Sequence, residues 1–133
     1  MMASSPDGTR KLLAVLLFVL AGFQACLALG VPWGSAAWGG ASEGVLPAGL
    51  RVASGLAALV WTWVALVVLG RFLAARGRRR LLLVLAIVMT LAVVMNLATP
   101  SAIERAVWAP FSVLVALVSW MCWWRERRAA RRA

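Results

Sequence analysis

Apolar residues fill four unbroken stretches of this chain, residues 12–30, 52–70, 81–98 and 106–124, and none of the four contains an Asp, Glu, Lys, Arg or His. At 1.5 Å of rise per residue, such stretches span roughly 27–29 Å as helices, about the thickness of a bilayer's hydrocarbon core. A helix also satisfies its own backbone hydrogen bonds, as lipid requires. A soluble domain has no surface with which to hide four such segments. The pattern predicts an all-α fold: an antiparallel bundle of four transmembrane helices. Residues 1–11 are expected to be a disordered basic N-terminus, 12–124 a single transmembrane domain and 125–133 a basic tail.

The connections are polar or glycine-rich. Residues 31–51 read VPWGSAAWGGASEGVLPAGLR, with neither helical nor strand periodicity, and place Trp33 and Trp38 in the headgroup layer. Residues 74–80, AARGRRR, form a short basic connection between spans two and three. Ser101 and Glu104 have the S-x-x-E spacing of a capping box, which predicts a fourth helix starting near Ala102. Pro110 then falls inside that helix, where it removes one backbone hydrogen bond and predicts a kink.

Charge orients the bundle. Of the 14 basic residues, only Arg51 and Arg105 lie in the connections after spans one and three; the rest flank the opposite ends. That asymmetry is the positive-inside signature, so both termini are expected in the cytoplasm of a cell whose plasma membrane the chain crosses several times. A net charge of +10 would suggest nucleic acid in a soluble protein, but here the arginines rim a membrane and the expected partner is the anionic headgroup layer, with no nucleic acid. The charged fraction, 14%, is well under the roughly 25% of soluble domains.

Little supports redox or metal chemistry. The chain has no His and no C-x-x-C, and its cysteines, Cys26 and Cys122, are expected toward opposite sides of the membrane, Cys26 outer and Cys122 inner. No metal, cofactor or catalytic residue is predicted. The first span has a basic start and a small-residue end, like a signal peptide, but its apolar run is longer than the usual 7–15 residues. It is expected to be kept as a membrane anchor.

Three groups of residues are candidates for function. Gly22, Cys26 and Gly30 on span one, and Ala109, Ser112, Ala116 and Ser119 on span four, recur every three or four positions. Small faces of this kind let helices approach closely in lipid, within one chain or between copies. Gln24, Thr62 and Thr90 lie near the midplane of three spans, where a Gln24–Thr hydrogen bond is expected as interhelical glue. Trp61 and Trp63 sit at similar depth on opposite sides of span two, and at least one of them is expected to face the bundle and offer an aromatic wall to a lipophilic ligand. Trp33, Trp38, Glu43, Arg51, Asn96, Glu104 and Arg105, with Ser101, gather at the outer face, where they would form a ligand-binding vestibule.

The PWG, WGG and LP motifs of residues 31–51, with NLATPSAIERAVWAP over 96–110, resemble an uncharacterised family of small four-helix integral membrane proteins of actinomycete-type bacteria. The resemblance implies a four-helix membrane fold and supplies no activity. Small multidrug-resistance transporters share the size but depend on a membrane-embedded Glu in the first span, which is missing here.

These features favour a structural or interaction role, a small bundle that packs with itself as a homo-oligomer or with a larger membrane protein partner. The alternative is binding or transport of a lipophilic or lipid-like small molecule. A lipid-modifying enzyme ranks third, since only Glu43 and Glu104 are offered outside and neither has a partner base. An open, accessible volume favours the second reading, and a sealed bundle the first.

Overall fold

The computed structural model describes residues 7–132, and every regular element among them is helical. Helices α1 (Gly8–Leu29), α2 (Ala48–Val68), α3 (Ala75–Ala98) and α4 (Ala102–Arg132) are each long and apolar enough to cross a membrane. By length and composition these are four candidate transmembrane helices, which suggest a multi-pass membrane protein. Two single turns of tighter helix, Gly34–Ala36 and Trp38–Gly40, interrupt the α1–α2 connection.

The helices overrun their apolar stretches, because polar flanks keep winding once the backbone is helical. Asp7 caps α1 by accepting the Arg10 N–H at 2.9 Å. Residues 8–11 are therefore helical, not the disordered segment expected over 1–11; residues 1–6 of that expectation lie outside the described residues. The basic run does not form a connection over 74–80 either. Arg76, Arg78, Arg79 and Arg80 wind into the first turns of α3, and the chain reverses over residues 69–74, at Gly70 (φ 94°) and Phe72 (φ 66°). Helix α4 continues through Pro110 and the basic tail to Arg132, about 46 Å at 1.5 Å per residue.

Helix α1 lies along α2 and α3 lies along α4; α1 also meets α4, while α2 and α3 barely touch. The core draws on all four helices, with Leu13 and Leu17 against Val64, Val68, Leu82, Leu85, Met89, Val115 and Val118. Ala109, Ser112, Ala116 and Ser119 are all buried, which brings the backbone of α4 close to its neighbours. Large apolar side chains such as Leu59, Met95 and Leu97 remain exposed, as a surface solvated by lipid requires.

The small residues of α1 do not form one packing face. Gly22 is exposed, and a Cβ there would meet nothing within 4 Å. Cys26 is half-buried. Gly30 ends the helix in the left-handed conformation (φ 96°), beside the Arg51 guanidinium.

Arginines fasten the helix ends. Arg10, only 8% exposed, donates from Nε to the Val68 carbonyl at 2.8 Å. Its Nε is also 3.9 Å from the Glu126 carboxylate, which Arg78 of α3 pairs at 2.6 Å. Position 70 adopts φ 94°, which favours glycine, and a Cβ there would also stand 3.0 Å from Arg10 Nη2. Arg125 pairs with Asp7 at 3.4 Å. At the other end Arg51 Nε donates to the Ala28 carbonyl at 3.0 Å.

Candidate functional site: an aromatic cavity beneath the α1–α2 loop

The α1–α2 loop is held down on the bundle by hydrogen bonds to α4. Ser101 Oγ donates to the Ser35 carbonyl at 2.8 Å, Trp108 Nε1 to the Ala36 carbonyl at 2.8 Å, and the Gly39 N–H to Glu104 Oε1 at 3.0 Å. Trp38 Nε1 ties the same loop to α2 through Ser54 Oγ at 3.1 Å. Gly34 makes this fit possible: a Cβ there would lie 2.5 Å from the Ser42 carbonyl oxygen. Leu27, Ala37 and Leu46 form a small apolar core under the loop. An aperiodic loop thus becomes an ordered cap.

Only half of the expected capping box forms. The Glu104 N–H donates to Ser101 Oγ at 3.2 Å, but the Glu104 carboxylate does not return to the Ser101 N–H, which is 3.3 Å from Thr99 Oγ1. The carboxylate reaches across to Gly39 and also accepts from the Thr99 hydroxyl. Tertiary contact with the loop takes the oxygen that a local motif would have used.

Under the cap lies an open cavity of about 260 Å³ with walls from all four helices. Its rings are Phe23, Trp38, Trp61, Trp108 and Phe111; its polar groups are Gln24, Asn96, Glu104 and Ser112. Phe23 packs on Trp108 at 4.4 Å between ring centroids, and Trp108 meets Phe111 edge-on at 5.3 Å. Asn96 donates to both Ser112 Oγ (2.7 Å) and the Trp108 carbonyl (3.3 Å), bridging α3 to α4. The indole N–H groups of Trp38 and Trp108 are bonded to the protein.

The unfilled capacity is therefore on the acceptor side. Gln24 Oε1 is shielded from solvent with no hydrogen-bond partner. Glu104 is 6% exposed, and no ion pair reaches it among the described residues. Its neighbour Arg105 is turned away, donating to the Thr99 carbonyl. An orphaned amide oxygen and an unpaired buried carboxylate are both unfavourable in a dry site, and a bound donor would relieve each.

The expected groupings are redistributed by this geometry. Of the outer-face residues, Trp38, Asn96 and Glu104 line the cavity. Trp33 instead stacks on Phe23, centroids 5.9 Å apart, Arg51 is engaged at the end of α1, and Glu43 and Arg105 are exposed. The midplane layer does not form. Helix α1 packs mainly on α2 and α4, so Gln24 faces the cavity while Thr90, on the exposed side of α3, donates to the Ala86 carbonyl and accepts from Trp120 Nε1 at 3.2 Å. Thr62 is half-buried on α2 and outside the cavity lining. Trp61 lines the cavity and Trp63 is exposed.

Residues missed at the sequence level are Phe23, Trp108 and Phe111, which look like ordinary interfacial or lipid-facing aromatics. Their i, i+3 spacing on α4 was the one available sign that Trp108 and Phe111 share a face. Comparison with protein-family profiles, curated proteins and solved structures finds no match for this chain. The functional reading rests on the cavity itself.

Proposed function

We propose that this chain is an antiparallel four-helix protein of the plasma membrane, with both termini cytoplasmic, that binds a small amphipathic cation in the cavity under its outer loop. The observation that carries the reading is the pairing of aromatic walls with a buried, unpaired carboxylate and an unpartnered amide oxygen. A protonated amine with a compact apolar body fits this chemistry. Its N–H groups complement Glu104 and Gln24, its charge replaces the missing counterion, and indole faces attract cations. The volume, about 260 Å³, restricts the ligand to a small one, below the roughly 300–1,000 Å³ of drug-sized sites.

Quenching of tryptophan fluorescence in the purified chain tests this, with 2-phenylethylamine as probe and neutral 2-phenylethanol as control. Saturable binding of the amine is expected. E104Q should weaken it by about tenfold or more, the worth of a charge-assisted hydrogen bond, while barely affecting the alcohol. Equal affinity for amine and alcohol, or an unchanged amine affinity in E104Q, refutes the assignment.

A second reading, self-association, is favoured by one observation: the open space at Gly22 on the exposed side of α1. Crosslinking through Cys26 tests it, and the complete lack of a dimer in native membranes removes it.

A further inference from the structure

At the arginine-rich end a second cavity, about 370 Å³, opens between the start of α3 and the end of α4. Arg79 and Arg80 face it from α3, Arg127 and Arg131 from α4, and Leu83 and Trp123 complete the wall. None of the four arginines has an acidic partner among the described residues. The nearby acids are engaged elsewhere, Asp7 with Arg125 and Glu126 with Arg78 and Arg10. Four unneutralised guanidinium groups around one concavity repel each other unless an anion sits among them.

Two features orient the site. The Arg127 guanidinium lies over the Trp123 ring, 5.0 Å from its centroid, and 5.7 Å from that of Trp124, which holds the planar fork in place. Helix α3 starts without a side-chain cap and without an acidic residue in its first turn, so its positive dipole end also favours an anion.

The surroundings distinguish a lipid from a free anion. Above the arginines, Leu83, Ile87 and Thr90 follow one another along one side of α3 at i+4 and i+3 spacing. Trp123 and Trp120 follow along α4, and Trp120 crosses to Thr90 through the 3.2 Å hydrogen bond. Trp120 and Trp123 pack edge to face at 5.6 Å. The arginine-lined cavity thus adjoins, at Leu83 and Trp123, an α3–α4 seam that carries Ile87, Thr90 and Trp120.

We propose that this cavity is a binding site for the phosphate of an anionic glycerophospholipid, held by Arg79, Arg80, Arg127 and Arg131 with its chain along the α3–α4 seam. Arginine forks match phosphate oxygens in pairs, and basic recesses between helices on the cytoplasmic side are suited to such headgroups. The site is separate from the outer cavity and does not depend on what that cavity binds.

Native mass spectrometry of the full chain in neutral detergent tests the proposal, with dioleoyl phosphatidylglycerol as probe and dioleoyl phosphatidylcholine as control. Discrete retention of phosphatidylglycerol, and not of phosphatidylcholine, is expected. The double substitution R79Q/R127Q should lower its affinity about tenfold, whereas R128Q/R132Q, with the same loss of charge outside the cavity, should change it less than twofold. R127K keeps the charge and tests the planar fork in a gentler variant; about a threefold loss is expected. Equal losses in the two double variants, or no loss in R127K, would reduce the arginines to a diffuse electrostatic rim and overturn the site. Displacement of the lipid by millimolar inorganic phosphate would overturn the lipid assignment in favour of a free anion.

Discussion

Glu104 shows how one residue's role depends on what lies across from it. Its backbone N–H takes part in the local cap of α4, as its spacing from Ser101 leads one to expect, but its carboxylate secures the loop at Gly39 and faces the cavity. Arg78 and Glu126 form the corresponding fixed point at the other end, nearly buried and 2.6 Å apart. Removing Arg78 leaves Glu126 with only the longer 3.9 Å contact to Arg10, so R78A should destabilise the bundle by about 1–3 kcal/mol. The thermal midpoint in detergent would drop measurably; an unchanged midpoint would mean that the pair is effectively solvated. Gly22 and Gly34 make the opposite prediction to each other. G22A fills open space and should raise helix stability by up to about 1 kcal/mol, whereas G34A drives a Cβ into two carbonyl oxygens and should loosen the loop at a cost of about 1–3 kcal/mol. Melting curves of the two variants would show shifts of opposite sign.

At the scale of elements, the α1–α2 loop departs most from its appearance in sequence. Glycine-rich and aperiodic, it reads as a passive connection, yet hydrogen bonds to Ser101, Glu104, Trp108 and Ser54 make it the roof of the cavity. The partners are 16 to 72 residues away, beyond the range of any local pattern. Disrupting one anchor should act on binding through the roof. W108F keeps the ring but loses the Nε1–H bond to Ala36, so its probe affinity should fall a few-fold while helix content by circular dichroism stays the same. If affinity is unaffected, the loop does not shape the site. The basic run of α3 carries the same lesson: four arginines that look like a hydrophilic turn become helical, and helicity places Arg79 and Arg80 opposite Arg127 and Arg131.

For the molecule as a whole, association between helices in lipid draws little on hydrophobic burial, so polar contacts and close backbones hold the bundle together. The contacts are concentrated at its two ends, with Arg10, Arg78 and Glu126 at one and the loop anchors at the other. This leaves room for a cavity between them. The proposed orientation has its own test. A reporter active only outside the cell, fused after Ala133, should be silent, and one inserted in the α1–α2 loop near Glu43 should be active. The reverse pattern would exchange the inner and outer faces and, with them, the lipid leaflet available to the arginine cavity.

The number and approximate positions of the helices long and apolar enough to span a membrane were legible in the chain, because 18 or so consecutive apolar residues have no other stable arrangement in lipid. The start of α4 and the burial of Ser112 and Ala116 were likewise local or periodic properties. What only the tertiary structure decided was which polar groups meet. The rotation of α1 turned Gln24 toward the cavity and away from the threonines, Asn96 found Ser112, and Glu104 exchanged a local partner for Gly39. Helix rotation and pairing depend on contacts between segments distant in the chain, and in an apolar stretch nearly every face is hydrophobic enough to serve, so the residues of the site are selected by packing.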